Sequence, residues 1–333
     1  MNTHSVPAPI RLFAALGATL ALALGLTTSA LAQSYPSRPV RIVIPFPPGG
    51  GIDVLVRAVA EQLSVRWSQP VIVDNRSGAG SLIGAEAVAR APADGYTLMA
   101  TVNQTFTANR FLYKSLPYDP DRSFTPITLM VQSDHFLLAH PAVPAKDLRE
   151  FVALARKPQA TLNYGSFGSG SQPQLVYEGL NQQERLQLVH IPYKGIAPLL
   201  QALTAGEVQL ATGSAGVAGP LLRAGRIKAL AIAGKRRSPQ FPEVPTTAEQ
   251  GHPELLASIW YGLFAPAGTP AEIVARISSD VRAILSQPAF ADQHARAKGL
   301  DVVASTSQEV TSTIREETKL VGALIRAAGV HPE

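Results

Sequence analysis

Residues 40–57 decide the fold, and they read Val-Arg-Ile-Val-Ile-Pro-Phe-Pro-Pro-Gly-Gly-Gly-Ile-Asp-Val-Leu-Val-Arg. The first five residues are mostly β-branched, which is typical of a buried strand, and the prolines that follow forbid both further sheet pairing and an immediate helix. The three glycines can take positive φ, so the backbone can turn sharply, and Asp53 is expected to cap a helix that runs through Leu63. The stretch therefore predicts a strand, a tight loop and a helix.

Such a loop is suited to an anion. At the start of a helix the N–H groups lack acceptors within the helix, and the helix dipole adds a partial positive charge at the same place. The loop by itself leaves one alternative open, which is a tight turn with nothing bound.

The first 32 residues predict an export signal. Arg11 precedes an apolar run that ends at Leu26, and Ala30-Leu31-Ala32 is the small-x-small pattern that signal peptidase cuts, so the mature chain is expected to begin at Gln33. A membrane anchor is the alternative, but the run is shorter than the roughly 20 apolar residues that a span needs. We therefore expect a periplasmic protein, secreted through a cleaved N-terminal signal peptide at residues 1–32.

Composition excludes several classes of protein. The 333 residues include no cysteine, which rules out disulfides, a thiol nucleophile and a cysteine-rich metal site. The formal net charge is +5, but the positive residues are scattered and the only run is Lys235-Arg236-Arg237, with no aromatic residues beside it. Nucleic-acid binding is therefore not expected, whereas a mild positive bias suits an anionic ligand.

Strand-like and helix-like segments alternate along the mature chain, which predicts an α/β fold. Residues 127–140 and 260–265 are predicted to be extended segments that cross between two domains, each a doubly wound mixed sheet flanked by helices. Domain 1 is expected at residues 33–133 plus 252–333, and domain 2 at residues 134–251. Predicted strands are 40–44, 70–74, 96–101, 162–165, 186–191, 208–211 and 228–232; predicted helices are 81–90, 146–156, 174–183, 197–205 and 218–224, with only helices after residue 269.

Two further glycine-rich segments follow predicted strands. Residues 78–84 are close to a dinucleotide fingerprint, but the third glycine is one position late and no acidic residue ends the next strand. Residues 165–171 lack both the glycine spacing of a hydrolase elbow and the lysine of a phosphate-binding loop. We interpret both as open-backbone loops before helices, the second suited to hold a carboxylate; a plain flexible turn is the alternative for the second.

No catalytic or metal constellation is visible in the sequence. His135 and His140 are too far apart for one helix face, and there is no His-Glu-x-x-His motif. The carboxylates lie where caps and turns use Asp routinely. We therefore expect no catalytic residue, no metal and no cofactor, and an exported hydrolase or lyase acting on a small carboxylate is the alternative from another class.

A series of motifs in a fixed order carries a family resemblance. The motifs are Tyr35-Pro-x-Arg-Pro39, Pro45-Phe-Pro-Pro-Gly-Gly-Gly-x-Asp53, Asn75-Arg-x-Gly-Ala-Gly80, Asp94-Gly-Tyr-Thr-Leu98, Leu116-Pro-Tyr-Asp119, Gly168-x-Gly-Ser171, His190-x-Pro-Tyr-Lys-Gly195, Pro245-Thr246 and Trp260-Tyr-Gly262. With them the chain resembles, over essentially all of the mature sequence, the exported solute-binding proteins of tripartite tricarboxylate transporters, the Bug family of periplasmic receptors.

The resemblance implies a two-domain Venus-flytrap fold of the periplasmic-binding-protein type with a hinge of crossing strands. It also implies that ligand carboxylates are caught by the first strand–helix loop and by facing helix N-termini, and that integral membrane permease subunits are partners. The chain departs from the family at Gln174, where His is frequent, and at Gly213 and Ser214, where an Asp-Asn-like pair is frequent. These departures leave the identity of the ligand open.

The function predicted from the sequence is an exported receptor, a monomer, that binds a small carboxylate in an interdomain cleft and delivers it to a membrane transporter. A ligand sensor for a signalling partner is a further alternative, because it would use the same closure. The predicted ligand contacts are Phe46, Pro48, Gly49, Gly50, Gly51, Asp53, Gly78, Ala79, Gly80, Thr101, Asn103, Ser166, Gly168, Ser169, Gly170, Ser171, Tyr193 and Ser214.

Overall fold

The computed structural model describes residues 35–158, 161–166, 171–193 and 195–327, together with Gly329 and Pro332. By its internal contacts the chain divides into residues 1–37 and residues 38–333, and the second of these units contains the sheet and its helices. The predicted signal peptide and the predicted mature N-terminus at Gln33 lie outside the described residues. Within the described ranges, no helix is long and apolar enough to cross a membrane.

Three parallel strands form the first part of the sheet. They are β1 (Val40–Ile44), β2 (Val71–Asn75) and β3 (Thr97–Val102), in the order β2-β1-β3. The crossovers between them carry α1 (Gly51–Trp67) and α2 (Leu82–Ala89), as parallel pairing requires. The carboxyl ends of the three strands therefore lie at one edge of the sheet, where the loops that follow them meet. Two short helices after β3 are α3 (Gln104–Thr107) and α4 (Asn109–Leu112).

A long strand, β4 (Phe124–Ala139), connects two groups of strands. Its residues 124–134 pair antiparallel with β9 (Ser258–Pro266), which also pairs antiparallel with β3. Its residues 135–139 pair antiparallel with β7 (Leu210–Ser214) and β8 (Lys228–Ile232). We call the group with β1, β2, β3 and β9 the first half, and the group with β7 and β8 the second half.

The second half repeats the parallel arrangement. Strands β5 (Asn163–Ser166) and β6 (Val189–Pro192) pair in parallel, and β5 pairs in parallel with β7. Its helices are α5 (Leu148–Ala155), α6 (Gln172–Glu184), α7 (Ile196–Ala205) and α8 (Ala215–Arg223). After β9 the chain returns to the first half with α9 (Ala271–Leu285), α10 (Pro288–Phe290), β10 (Asp301–Val302) and α11 (Ser307–Ala327).

Three backbone hydrogen bonds fix the point where β4 passes between the halves. The N–H of Ala233 donates to the carbonyl of His135, the N–H of His135 to that of Ala257, and the N–H of Ala257 to that of Ala233, each at 2.8 Å. Ala233 directly follows β8, and Ala257 directly precedes β9. The crossing segments are therefore held together by main-chain contacts, which depend little on side-chain identity.

Aromatic side chains fill the cores on both sides of this junction. In the first half Phe106 packs on Phe264, with ring centroids 4.3 Å apart, and meets Phe124 edge-on at 5.5 Å. In the second half Tyr164 packs on Tyr177 at 5.0 Å. Each half thus has an apolar core of its own between its sheet and its helices.

The expectation that only helices follow residue 269 is wrong. The structure contains β10, which pairs antiparallel with Val131 and Gln132 of β4. A two-residue strand has no periodicity for sequence analysis to detect, and it forms here because an open edge of β4 accepts it. The short helices α3 and α4 were also absent from the predicted elements.

Candidate ligand-binding site

The loop between β1 and α1 is held in shape by Asp53. The N-cap of α1 is Gly50, so Asp53 lies in the first turn and does not cap the helix as predicted. Its carboxylate accepts hydrogen bonds from the N–H of Gly49 (2.9 Å), the amide of Asn75 (3.0 Å) and the guanidinium of Arg57 (3.0 Å). Burial by itself raises the pKa of Asp53, but these hydrogen bonds outweigh it and hold that pKa below its usual value. The carboxylate thereby fixes the loop to α1 and β2.

The three glycines of this loop differ in what they require. Gly49 has φ +85°, which a residue with a side chain rarely adopts. Gly50 has φ −72° and so does not use the positive φ that a glycine allows: as the N-cap it has an extended backbone. A Cβ on Gly51 would lie 2.7 Å from the hydroxyl oxygen of Tyr261, whereas one on Gly50 would meet nothing closer than 3.9 Å. Gly49 is therefore needed for its backbone conformation, and Gly51 is needed because no side chain fits there.

A cavity of about 480 Å³ lies between the first and second halves, and three helices begin beside it. We call it the large cavity, because a smaller one adjoins it. They are α1, α7 and α8, of 17, 10 and 9 residues, and their first N–H groups lack acceptors within the helix. The partial positive charges of three helix N-termini thus lie beside one volume, which is an arrangement that binds anions. The described lining residues are Gly49, Gly51, Val54, His135, Gly195, Ile196, Gly213, Ser214, Gly216, Val217, Ile259, Tyr261, His294, Lys298 and Leu300.

The side chains around this large cavity also favour an anion. Among the described lining residues there is one ammonium group, on Lys298, and no carboxylate. Burial raises the pKa of Tyr261, so its hydroxyl is uncharged near neutral pH. Burial lowers the pKa of His135 to about 4, and its Nδ1 lies 3.3 Å from the hydroxyl of Thr212. His135 is therefore neutral at physiological pH.

A second cavity, of about 80 Å³, adjoins the first and shares two lining residues with it. The amide of Asn103 donates to the carbonyl of Ser258 (2.9 Å) and to the carboxylate of Glu317 (2.5 Å). The side-chain amide of Gln172, at the start of α6, donates to the same Ser258 carbonyl at 2.7 Å. The first residue of β9 is therefore bound by one side chain from each half.

The predicted contacts fall into four groups in the structure. Gly49, Gly51 and Ser214 line the large cavity, and Asn103 and Ser171 line the small one. Predicted residues that line neither of these two cavities are Phe46, Pro48, Gly50, Asp53, Gly78, Ala79, Gly80, Thr101, Ser166 and Tyr193. Gly168, Ser169 and Gly170 lie outside the described residues.

Several of the predicted residues that line neither cavity are hydrogen-bonded to other parts of the protein. The hydroxyl of Thr101 is buried and lies 2.6 Å from that of Thr105. The carbonyl of Gly80 accepts a hydrogen bond from the amide of Asn109 at 2.9 Å, and that of Phe46 accepts one from Asn75 at 3.1 Å. These contacts fix the loops at the carboxyl ends of β1, β2 and β3.

Ser166 and His190 form a hydroxyl–imidazole pair that the sequence did not reveal. Ser166 Oγ lies 2.7 Å from His190 Nε2, at the carboxyl end of β5. Burial lowers the pKa of His190, but Ser166 has no exposed surface, so a substrate carbon cannot approach its oxygen in this structure. No described carboxylate accepts a hydrogen bond from the other ring nitrogen, which a catalytic triad requires.

Sequence analysis missed most side chains of the large cavity. Tyr261 and Gly195 belong to motifs of the family resemblance, and the predicted starts of two helices near residues 197 and 218 could have pointed to α7 and α8. Val54 and Val217 are apolar residues near the starts of α1 and α8, which gives no distinctive pattern. Lys298, like His294, comes from the C-terminal part of the chain and reaches the cavity only through tertiary folding.

Fold and site together define a class of protein: a ligand-binding protein with two sheet halves, crossing strands and helix N-termini around the cleft between the halves. Comparison with known families is more specific. The model of the tripartite tricarboxylate transporter family receptor (TctC) matches residues 55–330, and the chain belongs to this family. The resemblance drawn from the sequence motifs is thereby confirmed.

Solved structures agree with this assignment. A Rhodopseudomonas palustris protein solved with adipate has a TM-score of 0.79 and 32% identity, covering 90% of this chain and 100% of that one. MatC of the same organism, solved with bound malate, has a TM-score of 0.74 and 33% identity, covering 87% and 100%. The periplasmic binding protein BugD has a TM-score of 0.75 and 30% identity, covering 90% and 100%. The predicted mixed α/β fold of the periplasmic-binding-protein type is therefore confirmed.

Proposed function

We propose that the chain is a periplasmic receptor that binds a small carboxylate in the large cavity and delivers it to the integral membrane subunits of a tripartite tricarboxylate transporter. One observation carries the proposal: the N-termini of α1, α7 and α8 meet at a cavity whose described lining includes Lys298 but no carboxylate. A carboxylate there accepts main-chain hydrogen bonds and lies in the positive ends of three helix dipoles.

Relatives support the chemical class of the ligand. Adipate and malate, the molecules in two of the solved relatives, are both dicarboxylates. They differ in length and in hydroxylation, so the carboxylate is the group that they share. Main-chain amides recognise that group without regard to the rest of the molecule, which suits a family with varied ligands.

A matched pair of ligands tests the need for charge. The protein is titrated with adipate and with adipamide, which has the same carbon chain but no charge, and unfolding is followed by thermal shift. A ligand at a hundred times its dissociation constant adds about 2.7 kcal/mol to stability, which is easily resolved. We expect stabilisation by a panel of carboxylates and none by their amides. Equal stabilisation by acid and amide would contradict anion capture.

Export is tested on the mature protein. We expect mass spectrometry of the protein from the cell envelope to give a chain that begins at Gln33, because the cleavage pattern ends at Ala32. Retention of the whole N-terminal segment in the membrane would contradict a free periplasmic receptor.

Delivery is tested by uptake. Vesicles that contain the permease subunits are expected to accumulate a labelled carboxylate only when the purified receptor is added. A receptor that binds the same carboxylate but leaves uptake unchanged would favour the sensor alternative.

A further inference from the structure

Two half-exposed valines line the large cavity. Few large apolar side chains in the described part of the protein are more than a third exposed, and two of them, Val54 (43%) and Val217 (41%), line this one cavity. Val54 lies on α1 in the first half, and Val217 lies on α8 in the second half. The cavity therefore has an uncovered apolar side chain from each half, and covering such surface is favourable.

The surroundings of the two valines extend this apolar surface. Ile196, Ile259 and Leu300 also line the cavity. The rest of its described lining is half glycine and half polar side chains, which are His135, Ser214, Tyr261, His294 and Lys298. His135 already has a hydroxyl neighbour in Thr212. A ligand hydroxyl placed against the five aliphatic side chains would lose water without gaining a hydrogen-bond partner from them, which costs free energy.

We propose that the ligand of this site is a carboxylate with an apolar body, an alkyl chain or an aryl ring, and that Val54 and Val217 pack on that body. The inference rests on the proposed function and names the substrate class of the same site. The carboxylate lies at the helix N-termini, and the hydrocarbon part lies between α1 and α8. Short hydroxylated acids such as malate and tartrate belong to the disfavoured class.

A ligand series of constant charge tests the proposal. Calorimetry on the full mature protein compares acetate, butyrate, hexanoate and phenylacetate as monoanions, and tartrate, malate, succinate and adipate as dianions. Within each series we expect affinity to rise as CH₂ groups or a ring are added and to fall as hydroxyls are added. One methylene in an apolar pocket is worth about tenfold or more in discrimination.

Valine-to-threonine variants test the residues. Val54→Thr and Val217→Thr replace one methyl group by a hydroxyl at nearly constant volume, and each is expected to weaken hexanoate or adipate binding by about tenfold while changing acetate or succinate binding much less. Val65→Thr is the matched control, because Val65 lies on the same α1 helix, is 77% exposed and does not line the cavity. We expect it to bind every ligand as the parent protein does.

The outcomes separate this inference from the proposed function. Tighter binding of malate or tartrate than of adipate and hexanoate, or an unchanged preference in both valine variants, would overturn the apolar-body inference and leave the carboxylate receptor standing. Failure of every carboxylate to bind would overturn both.

Discussion

At the residue scale, neighbouring positions of one glycine run have different physical roles. Gly49 is required by its φ of +85°, whereas Gly51 is required because Tyr261 occupies the space that a side chain would need. Gly50 meets neither condition. The same substitution at adjacent positions therefore has different consequences, which makes one position a control for the other.

Gly51→Ala is expected to destabilise the protein by about 1–3 kcal/mol and to weaken carboxylate binding, because the new methyl group must displace the buried Tyr261 ring beside the cavity. Gly50→Ala is expected to change both quantities little. Urea unfolding and calorimetry measure the two effects. Adding Tyr261→Phe to Gly51→Ala removes the hydroxyl that is contacted and should restore stability; a double variant as unstable as the single one would contradict this account.

Affinity for a fully ionised carboxylate is expected to stay nearly flat between about pH 6 and 8. Main-chain amides do not titrate in this window, burial lowers the pKa of His135 to about 4, and burial raises the pKa of Tyr261. Calorimetry at several pH values checks the expectation. A steep slope that disappears in His294→Gln would identify that histidine as the anchor and contradict capture by main-chain groups.

At the element scale, the start of α8 touches the turn that precedes β10. A Cβ on Gly216 would overlap the carbonyl oxygen of Lys298, and one on Gly299 would overlap the backbone of Gly216. The two segments come from opposite halves and approach without a side chain between them. This contact lies beside the large cavity, since Gly216 and Lys298 both line it.

Gly216→Ala is therefore expected to push α8 away from the first half, to cost about 1–3 kcal/mol of stability and to weaken ligand binding. Gly219→Ala is the control on the same helix, because its nearest new contacts are at an ordinary 3.4 Å. We expect it to be neutral or slightly stabilising, since alanine favours a helix over glycine. Equal effects of the two substitutions in thermal unfolding and calorimetry would show that the contact across the halves is unimportant.

We infer domain boundaries from the same elements. Strand β4 changes partners after residue 134, and Leu255 and Ala257 pack in the core of the second half with Tyr164 and Phe151. The second domain is thus placed at residues 135–257, extending beyond the end at 251 proposed from sequence. A fragment of residues 135–257 is expected to unfold cooperatively at a higher urea concentration than a fragment of residues 134–251. Equal midpoints would contradict the longer boundary.

At the scale of the whole molecule, the halves are joined by more than the crossing strands. The C-terminal helix α11 is held to the first half by Glu317. Its carboxylate accepts a hydrogen bond from the indole of Trp260 at 2.6 Å, in addition to the one from Asn103, and burial raises the pKa of Glu317. The end of α11 also packs on α6 of the second half, where Leu175 and Ile325 share an apolar cluster. The C-terminal helix therefore spans the junction, and any closing motion must preserve or repack these contacts.

Asp134, at the junction of the halves, makes stability depend on pH. Burial and the charge of Asp301 raise the pKa of Asp134 to about 6, although Arg236 and Lys235 act in the opposite direction. Between pH 3.8, the pKa of the unfolded chain, and about pH 6, the folded protein holds a proton on Asp134 that the unfolded chain has lost. The free energy of unfolding therefore falls as pH rises through this range, and the whole decrease is present above about pH 6.

Asp134→Asn removes that cost. We expect the variant to be more stable than the parent by about 1–3 kcal/mol at pH 7.5, and the difference to shrink toward zero near pH 4. Urea unfolding at a series of pH values measures the difference. A difference that does not change with pH would mean that the carboxylate is not the group responsible.

Local features allowed several elements to be predicted from sequence. β1 and β8 have the predicted bounds, and β4 lies close to the predicted extended segment, because β-branched runs, prolines and glycines act on their immediate neighbours. The order of elements followed from the alternation of such segments. Of the predicted ligand contacts, those that line the large cavity are at helix starts, which are also indicated by local sequence patterns.

The sequence by itself determined the α/β class, the strand–loop–helix unit at residues 40–57 and the family. Tertiary structure decided which glycine needs its conformation and which needs space, that Asp53 fixes the loop, and that β10 pairs with β4. It also brought Val217, from the second half, and Lys298, from the C-terminal segment, to the cavity that α1 faces. The reason is physical: secondary structure depends mainly on neighbouring residues, whereas a binding cavity depends on contacts between segments far apart in the chain.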